Sequence, residues 1–139
     1  MKISEIIKTR KKIVLIVLAV IVAVVMILNP LRWKEYAIKD MLLEFTPVGT
    51  DMNSVIETLE SKKNYEIEYV SYEHGYSIDS DGPSDAAVSF GQKEIGKKSM
   101  RVHLGEYRVI FCVDVIAFYG FNEGNELVDI DVRKDYDSL

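Results

Sequence analysis

The sequence predicts an α+β fold: an N-terminal transmembrane helix followed by one small domain of two helices packed on a three- to four-stranded antiparallel sheet. Three observations support this prediction: an uncharged apolar run near the N-terminus, a stretch with helical apolar spacing, and later stretches that alternate apolar and polar residues. The chain has 139 residues, which leaves room for one modest domain beyond the apolar run.

The apolar run, residues 13–28, is expected to be an uncleaved membrane anchor. Thirteen of its sixteen residues are Ile, Val or Leu, and each favours insertion by about 0.3–0.6 kcal/mol. Extension to Leu31 brings the run near the ~20 residues that cross a bilayer core, and Trp33 suits the membrane interface. The small residues typical of a signal-peptide cleavage site do not follow the run. A cleaved signal and a buried helix of a soluble protein remain alternatives.

The charge distribution predicts the orientation of this anchor. Five basic residues and one acid precede Ile13, whereas acids outnumber bases in the rest of the chain. Because basic flanks stay in the cytoplasm, residues 1–12 are predicted to be a cytoplasmic tail, 13–31 the single span in the cell membrane, and 32–139 an extracytoplasmic domain. The net charge of -5 argues against nucleic-acid binding. The expected partners are therefore the lipid bilayer and another protein on the outer side of the membrane.

Two small residues in the anchor give it a candidate self-association face. Ala19 and Ala23 form a small-xxx-small pair, a spacing that lets two transmembrane helices approach closely. Two alanines also occur by chance in an apolar run. The predicted transmembrane dimer face is thus a hypothesis that rests on spacing alone.

Two helices are predicted after the anchor. Residues 31–45 carry apolar residues at roughly helical spacing, namely Trp33, Tyr36, Ala37, Met41 and Leu42. Thr50 or Asp51 is expected to cap the second helix. Its apolar face follows the i, i+3, i+4, i+7 pattern and consists of Met52, Val55, Ile56 and Leu59.

The rest of the chain is predicted to form strands and turns. In chain order these are a strand at 65–72, a long loop at 73–97, a strand at 100–104, a hairpin turn at 105–106, a long central strand at 109–121 and a last strand at 127–132. Strands joined by short turns indicate an antiparallel sheet, and the second helix is expected to cover one of its faces.

Residues 48–56, Val-Gly-Thr-Asp-Met-Asn-Ser-Val-Ile, resemble a pattern in the SmpA/OmlA family of small bacterial envelope lipoproteins. In that family a Gly and a small hydroxyl residue open a helix. The resemblance implies two helices on an antiparallel sheet and a non-catalytic place in envelope assembly. This chain differs in carrying an apolar anchor where the family has a lipidated Cys, and no binding residue is carried over.

Neither catalysis nor a cofactor is predicted. The two histidines, His74 and His103, lie far apart, and Cys112 stands in an apolar stretch where we expect it to be buried and inert. A zinc site needs three or four ligands, which these residues do not supply. Residues 79–85 are rich in Asp but lack the spacing of an EF-hand loop. A sensor domain for Ca²⁺ or a small ligand remains an alternative.

The eight tyrosines are the main indication of a binding surface, because Tyr is enriched where proteins meet. A simpler interpretation is that these aromatic residues complete the core of the sheet.

We expect a membrane-anchored, non-enzymatic interaction module, an adaptor or accessory envelope protein. The alternative is an immunity or inhibitor protein whose acidity steers it to a basic toxin or to an enzyme. The predicted partner surface comprises Tyr69, Tyr72, Tyr76, His103 and Tyr107.

Overall fold

A computed structural model describes residues 2–78 and 93–136. The chain divides into two compact units, Met1–Trp33 and Lys34–Leu139. The boundary falls just beyond the predicted anchor.

The first unit is a helix, α1, over Ile3–Leu28, followed by a 3₁₀ turn at Pro30–Arg32. The helix therefore begins ten residues before the apolar run and includes most of the basic tail. In the described part of the chain, α1 is the one helix long and apolar enough to cross a membrane. The expected N-terminal apolar helix is thus present.

Two side chains define the end of α1. The last carbonyls of a helix lack intrahelical donors, and the Trp33 indole Nε1 donates to the Ile27 carbonyl at 3.2 Å. The Asn29 side chain accepts from the Leu31 amide at 3.1 Å and so opens the 3₁₀ turn. Pro30 cannot continue the hydrogen-bond ladder of the helix.

The second unit combines two helices with a four-stranded antiparallel sheet, which confirms the predicted fold class. The helices are α2 (Glu35–Phe45) and α3 (Met52–Glu60). The strands are β1 (Glu66–Ser71), β2 (Tyr76–Ser77), β3 (Glu94–Ile95), β4 (Lys98–Arg108), β5 (Cys112–Phe121) and β6 (Leu127–Tyr136). The main sheet has the order β1-β4-β5-β6, while β2 and β3 form a separate pair.

The helices begin and end for local reasons. The Asp51 carboxylate accepts from the Asn53 amide at 3.0 Å and caps α3, as predicted. The predicted continuous helix over 31–45 is wrong, because Trp33 and Lys34 are extended and separate the 3₁₀ turn from α2. The apolar side of α2 was predicted only in part: Leu42 is buried as expected, but Tyr36 is exposed, and the buried Ile38 was not in the predicted set.

The main core lies between the helices and one face of the sheet, here called the inner face. Residues opposite one another on the four strands form rows across it, and the central row is Val70, Met100, Tyr119 and Ile130. Helix α2 packs against β6 and α3 against β1, so the two helices lie over opposite edges of the sheet. Val55 and Leu59 of α3 are fully buried in this core.

The other face of the sheet, the outer face, is partly covered by the β2–β3 pair. Tyr76 lies over Phe118 and forms a small apolar cluster with Ile116 and Ile95. A Cβ on Gly120 would lie 2.9 Å from the Tyr76 ring, so glycine permits this close packing. The predicted loop 73–97 therefore contains a strand pair, and the Asp-rich residues 79–85 lie outside the described residues.

The predicted turn at Gly105 and Glu106 is wrong. Both residues belong to β4, where the pairing register shifts between His103 and Gly105 and leaves Leu104 as an extra residue. Gly105 has φ 137°, and a glycine inside a strand often marks such a bulge. The chain turns instead at residues 109–111, which were predicted to begin the central strand.

Candidate interaction surfaces

Phe118 organises the outer face of the sheet. Its ring lies 4.5 Å from the Arg133 guanidinium carbon and 5.9 Å from that of Arg101, and Tyr76 covers it at a centroid distance of 6.0 Å. Cations over an aromatic face are attracted by its quadrupole. Arg133 also donates to the Ser77 carbonyl and so ties β2 to β6.

Ion pairs occupy much of the rest of the outer face. The Arg101 Nε lies 2.8 Å from a Glu68 carboxylate oxygen, and the Arg133 Nε lies 2.8 Å from that of Asp131. These groups are partly exposed, and each such pair contributes only ~0–1 kcal/mol. These pairs place charges of both signs beside the Phe118 cluster.

The five residues predicted to form the partner surface do not form one surface. Tyr69 is 41% exposed and lies within the edge strand β1, whereas Tyr72 is 66% exposed and directly follows that strand. We call these two residues the tyrosine edge. Tyr76 is only 2% exposed, so its inclusion is a correction: it is the residue through which β2 covers Phe118.

His103 and Tyr107 lie on different faces of the sheet. His103 is on the outer face, with its Nε2 3.0 Å from an Asp114 carboxylate oxygen. The extra residue Leu104 reverses the alternation, so Tyr107 pairs with the inner-face residue Val113. The Lys134 ammonium donates to the Tyr107 hydroxyl at 3.1 Å. The bulge therefore separates two residues that strict alternation places on one side.

Burial raises the pKa of both fully buried tyrosines of the domain, Tyr76 and Tyr119, and keeps them in the neutral form. Desolvation raises the pKa of Tyr76, and the nearby carboxylates of Asp129 and Asp131 raise it further. Desolvation likewise raises the pKa of Tyr119. These phenols are thus core groups, and neither is poised for acid–base chemistry near neutral pH.

A surface that the sequence did not indicate lies at the end of the β4–β5 hairpin. Val109, Ile110 and Phe111 are 67%, 88% and 40% exposed, and we call these three residues the hairpin tip. The Val109 amide donates to the Phe111 carbonyl at 3.2 Å and closes the turn. The Phe111 ring meets the edge of Tyr136 at 6.0 Å, and Tyr136 is itself 55% exposed. In the part of the chain that the structure describes, Val109 and Ile110 therefore remain largely exposed.

Cys112 follows the tip directly, and its predicted burial is wrong. The thiol is partly exposed and donates to a Glu106 carboxylate oxygen at 3.2 Å. This hydrogen bond and the negative charge of Glu106 raise the pKa of Cys112. The thiol is therefore accessible but weakly nucleophilic at neutral pH, because the thiolate is the reactive form.

The described residues contain no group of three or more His, Cys, Asp or Glu side chains placed to hold a metal ion.

The anchor residues Ala19 and Ala23 lie one turn apart on the same side of α1, both exposed. Their role in dimerisation stays a prediction.

Comparison with family models, curated proteins and solved structures finds no match to this chain. The resemblance to the SmpA/OmlA family therefore stays a prediction. The proposals that follow depend on the geometry of the chain itself.

Proposed function

We propose that this protein is a single-pass membrane protein whose extracytoplasmic domain is a non-enzymatic interaction module. The observation that carries the proposal is the tyrosine edge. Tyr69 lies in the edge strand β1, which has no further strand on its free side among the described residues, and Tyr72 directly follows that strand. Both expose much of their aromatic surface. Exposed Tyr provides a large contact area at low entropic cost, with a hydroxyl for hydrogen bonding.

The position of these tyrosines suits protein recognition. An edge strand presents unpaired amide and carbonyl groups along one side, and a partner segment can pair with them. Tyr69 lies directly opposite Arg101, whose guanidinium is held by Glu68. A partner at this edge would therefore meet aromatic surface, backbone hydrogen-bonding groups and a fixed pair of charges.

The anchor supplies the second half of the proposed mechanism. Confinement of the domain to a membrane raises its effective concentration near partners in the same membrane. The five basic residues before Ile13 favour a cytoplasmic N-terminus, which places the domain outside. The tyrosine edge and the anchor together define a tethered adaptor or accessory subunit in the envelope.

Site-specific photocrosslinking in intact membranes tests this function. A benzoyl-phenylalanine at Tyr69 or Tyr72 should give one reproducible protein adduct. The matched control is Tyr36, which is also 66% exposed but lies on α2. The same adducts from Tyr36, or no adduct from either edge position in folded protein, would overturn the proposal.

A further inference from the structure

The hairpin tip exposes apolar side chains to solvent at the end of the β4–β5 hairpin. Its three consecutive side chains, Val109, Ile110 and Phe111, lie beyond the last strand pair, Arg108 with Cys112. Burial of such residues normally contributes to folding, so their exposure usually indicates an external apolar environment.

Aromatic and charged side chains lie next to this apolar tip. Tyr107 and Tyr136 pair on either side of Val113 in the last row of the inner face, and the Lys134 ammonium lies 5.1 Å from the centre of the Tyr107 ring. An apolar end followed by Tyr and then charged residues is the order in which side chains meet a bilayer, from hydrocarbon to headgroup.

The size of the tip also favours lipid over protein. A stable protein interface takes about 20–30 residues from each partner, whereas the tip offers three side chains and the edge of Tyr136. A bilayer requires no complementary shape, and a chain that carries its own membrane span is held close to one. We infer that the hairpin tip inserts into the interfacial region of the membrane, a second contact that goes beyond the proposed protein-binding function.

Charge indicates how this insertion is driven. In the described part of the chain, the charged residues of the last rows before the tip are two cations and three acids, namely Arg108, Lys134, Glu106, Asp114 and Asp135. Basic residues draw a protein to anionic lipid only where they are in excess. The tip therefore inserts through its apolar side chains, independently of anionic lipid and of salt.

Tryptophan fluorescence of the full chain in phosphatidylcholine proteoliposomes tests the inference. Trp33 is the only tryptophan, so Trp33→Phe gives a silent background for Ile110→Trp. We expect blue-shifted emission that lipids brominated on their acyl chains quench strongly. Tyr72→Trp in the same background is the control, and it should emit as a water-exposed indole that these lipids barely quench.

Three outcomes would overturn the inference. Emission from Ile110→Trp that matches the Tyr72→Trp control would exclude insertion, and Val109→Trp provides a second probe if the first variant fails to fold. A loss of quenching in high salt, or a requirement for phosphatidylglycerol, would exclude the apolar mechanism. A photoreactive residue at Ile110 that captures a protein instead of lipid would assign the tip to a partner. Adducts at the tyrosine edge are scored separately, so the two proposals can fail independently.

Discussion

At the scale of single residues, the Glu106 carboxylate controls the reactivity of the only cysteine. It accepts the Cys112 S–H hydrogen bond and repels the thiolate, and so raises the pKa of Cys112. Glu106→Gln removes the charge and should lower that pKa. A larger thiolate fraction at neutral pH then makes labelling by maleimide several-fold faster.

The control for this prediction is Glu123→Gln, which neutralises an exposed carboxylate in the turn between β5 and β6. Its labelling rate should equal that of the unaltered chain. Equal rates for Glu106→Gln and the unaltered chain across neutral pH would show that Glu106 does not set the pKa of the thiol.

Single residues were also where sequence reasoning was least accurate. Cys112 stands in an apolar stretch, yet it occupies the end of a strand, where the side chain reaches solvent and Glu106. Tyr76 stands in a polar stretch, yet β2 folds over the sheet and buries it against Phe118. Local composition cannot reveal either environment, because the first depends on where the hairpin turns and the second on Phe118, a residue far away in the sequence.

At the scale of elements, the cap of α3 is the best-supported local signal. Asp51→Ala removes the acceptor of the Asn53 amide and should lower the free energy of unfolding by about 1 kcal/mol. In a domain of this size such a loss lowers the melting midpoint by about 4–8 °C. Thermal unfolding of the full chain in detergent, followed by circular dichroism, measures the change.

Asp51→Ser is the matched control, because serine caps helices about as well as aspartate. Its melting midpoint should stay near that of the unaltered chain. The backbone bridge between Asp51 and Glu126 is common to all three proteins and cancels in the comparison. A serine variant as unstable as the alanine variant would show that the loss does not arise from capping.

Helices and strands were predicted well where the spacing of apolar residues and the capping residue agree, and poorly at bulges and turns. Apolar spacing and Asp51 correctly gave α3, and alternation gave the central part of β4 and the first part of β6. Alternation fails at bulges, since one extra residue reverses which side chains face the core. The hairpin tip was missed for a related reason: its apolar residues continue the pattern of β5 without a turn-forming residue between them.

At the scale of the whole molecule, the charge asymmetry about α1 predicts a cytoplasmic N-terminus. A membrane-impermeant maleimide applied to intact cells should therefore label Cys112 without permeabilisation. In a Cys112→Ser background, Ser4→Cys should react only after the membrane is opened. The reverse pattern would contradict the proposed orientation, and labelling at mildly alkaline pH offsets the slow reaction of the native thiol.

The order of elements made the fold class predictable, because adjacent strands with short connections restrict the topology to an antiparallel sheet. The binding surfaces were less predictable. Tyr69 and Tyr72 were identified by residue type, but their exposure depends on β1 being an edge strand. Sequence alone could not assign that position, since strand order is a property of the assembled sheet.

The extra residue in β4 also limits where the hairpin can change in length. Before Leu104, β4 lies between β1 and β5; beyond it, Gly105 to Arg108 pair with residues 112–115 of β5, whose Val113 and Val115 are fully buried. One residue added or lost within these pairs would reverse the alternation that places Val113 and Val115 in the core. Homologous chains should therefore vary in length at residues 109–111, beyond the last strand pair, while the paired rows keep their number of residues.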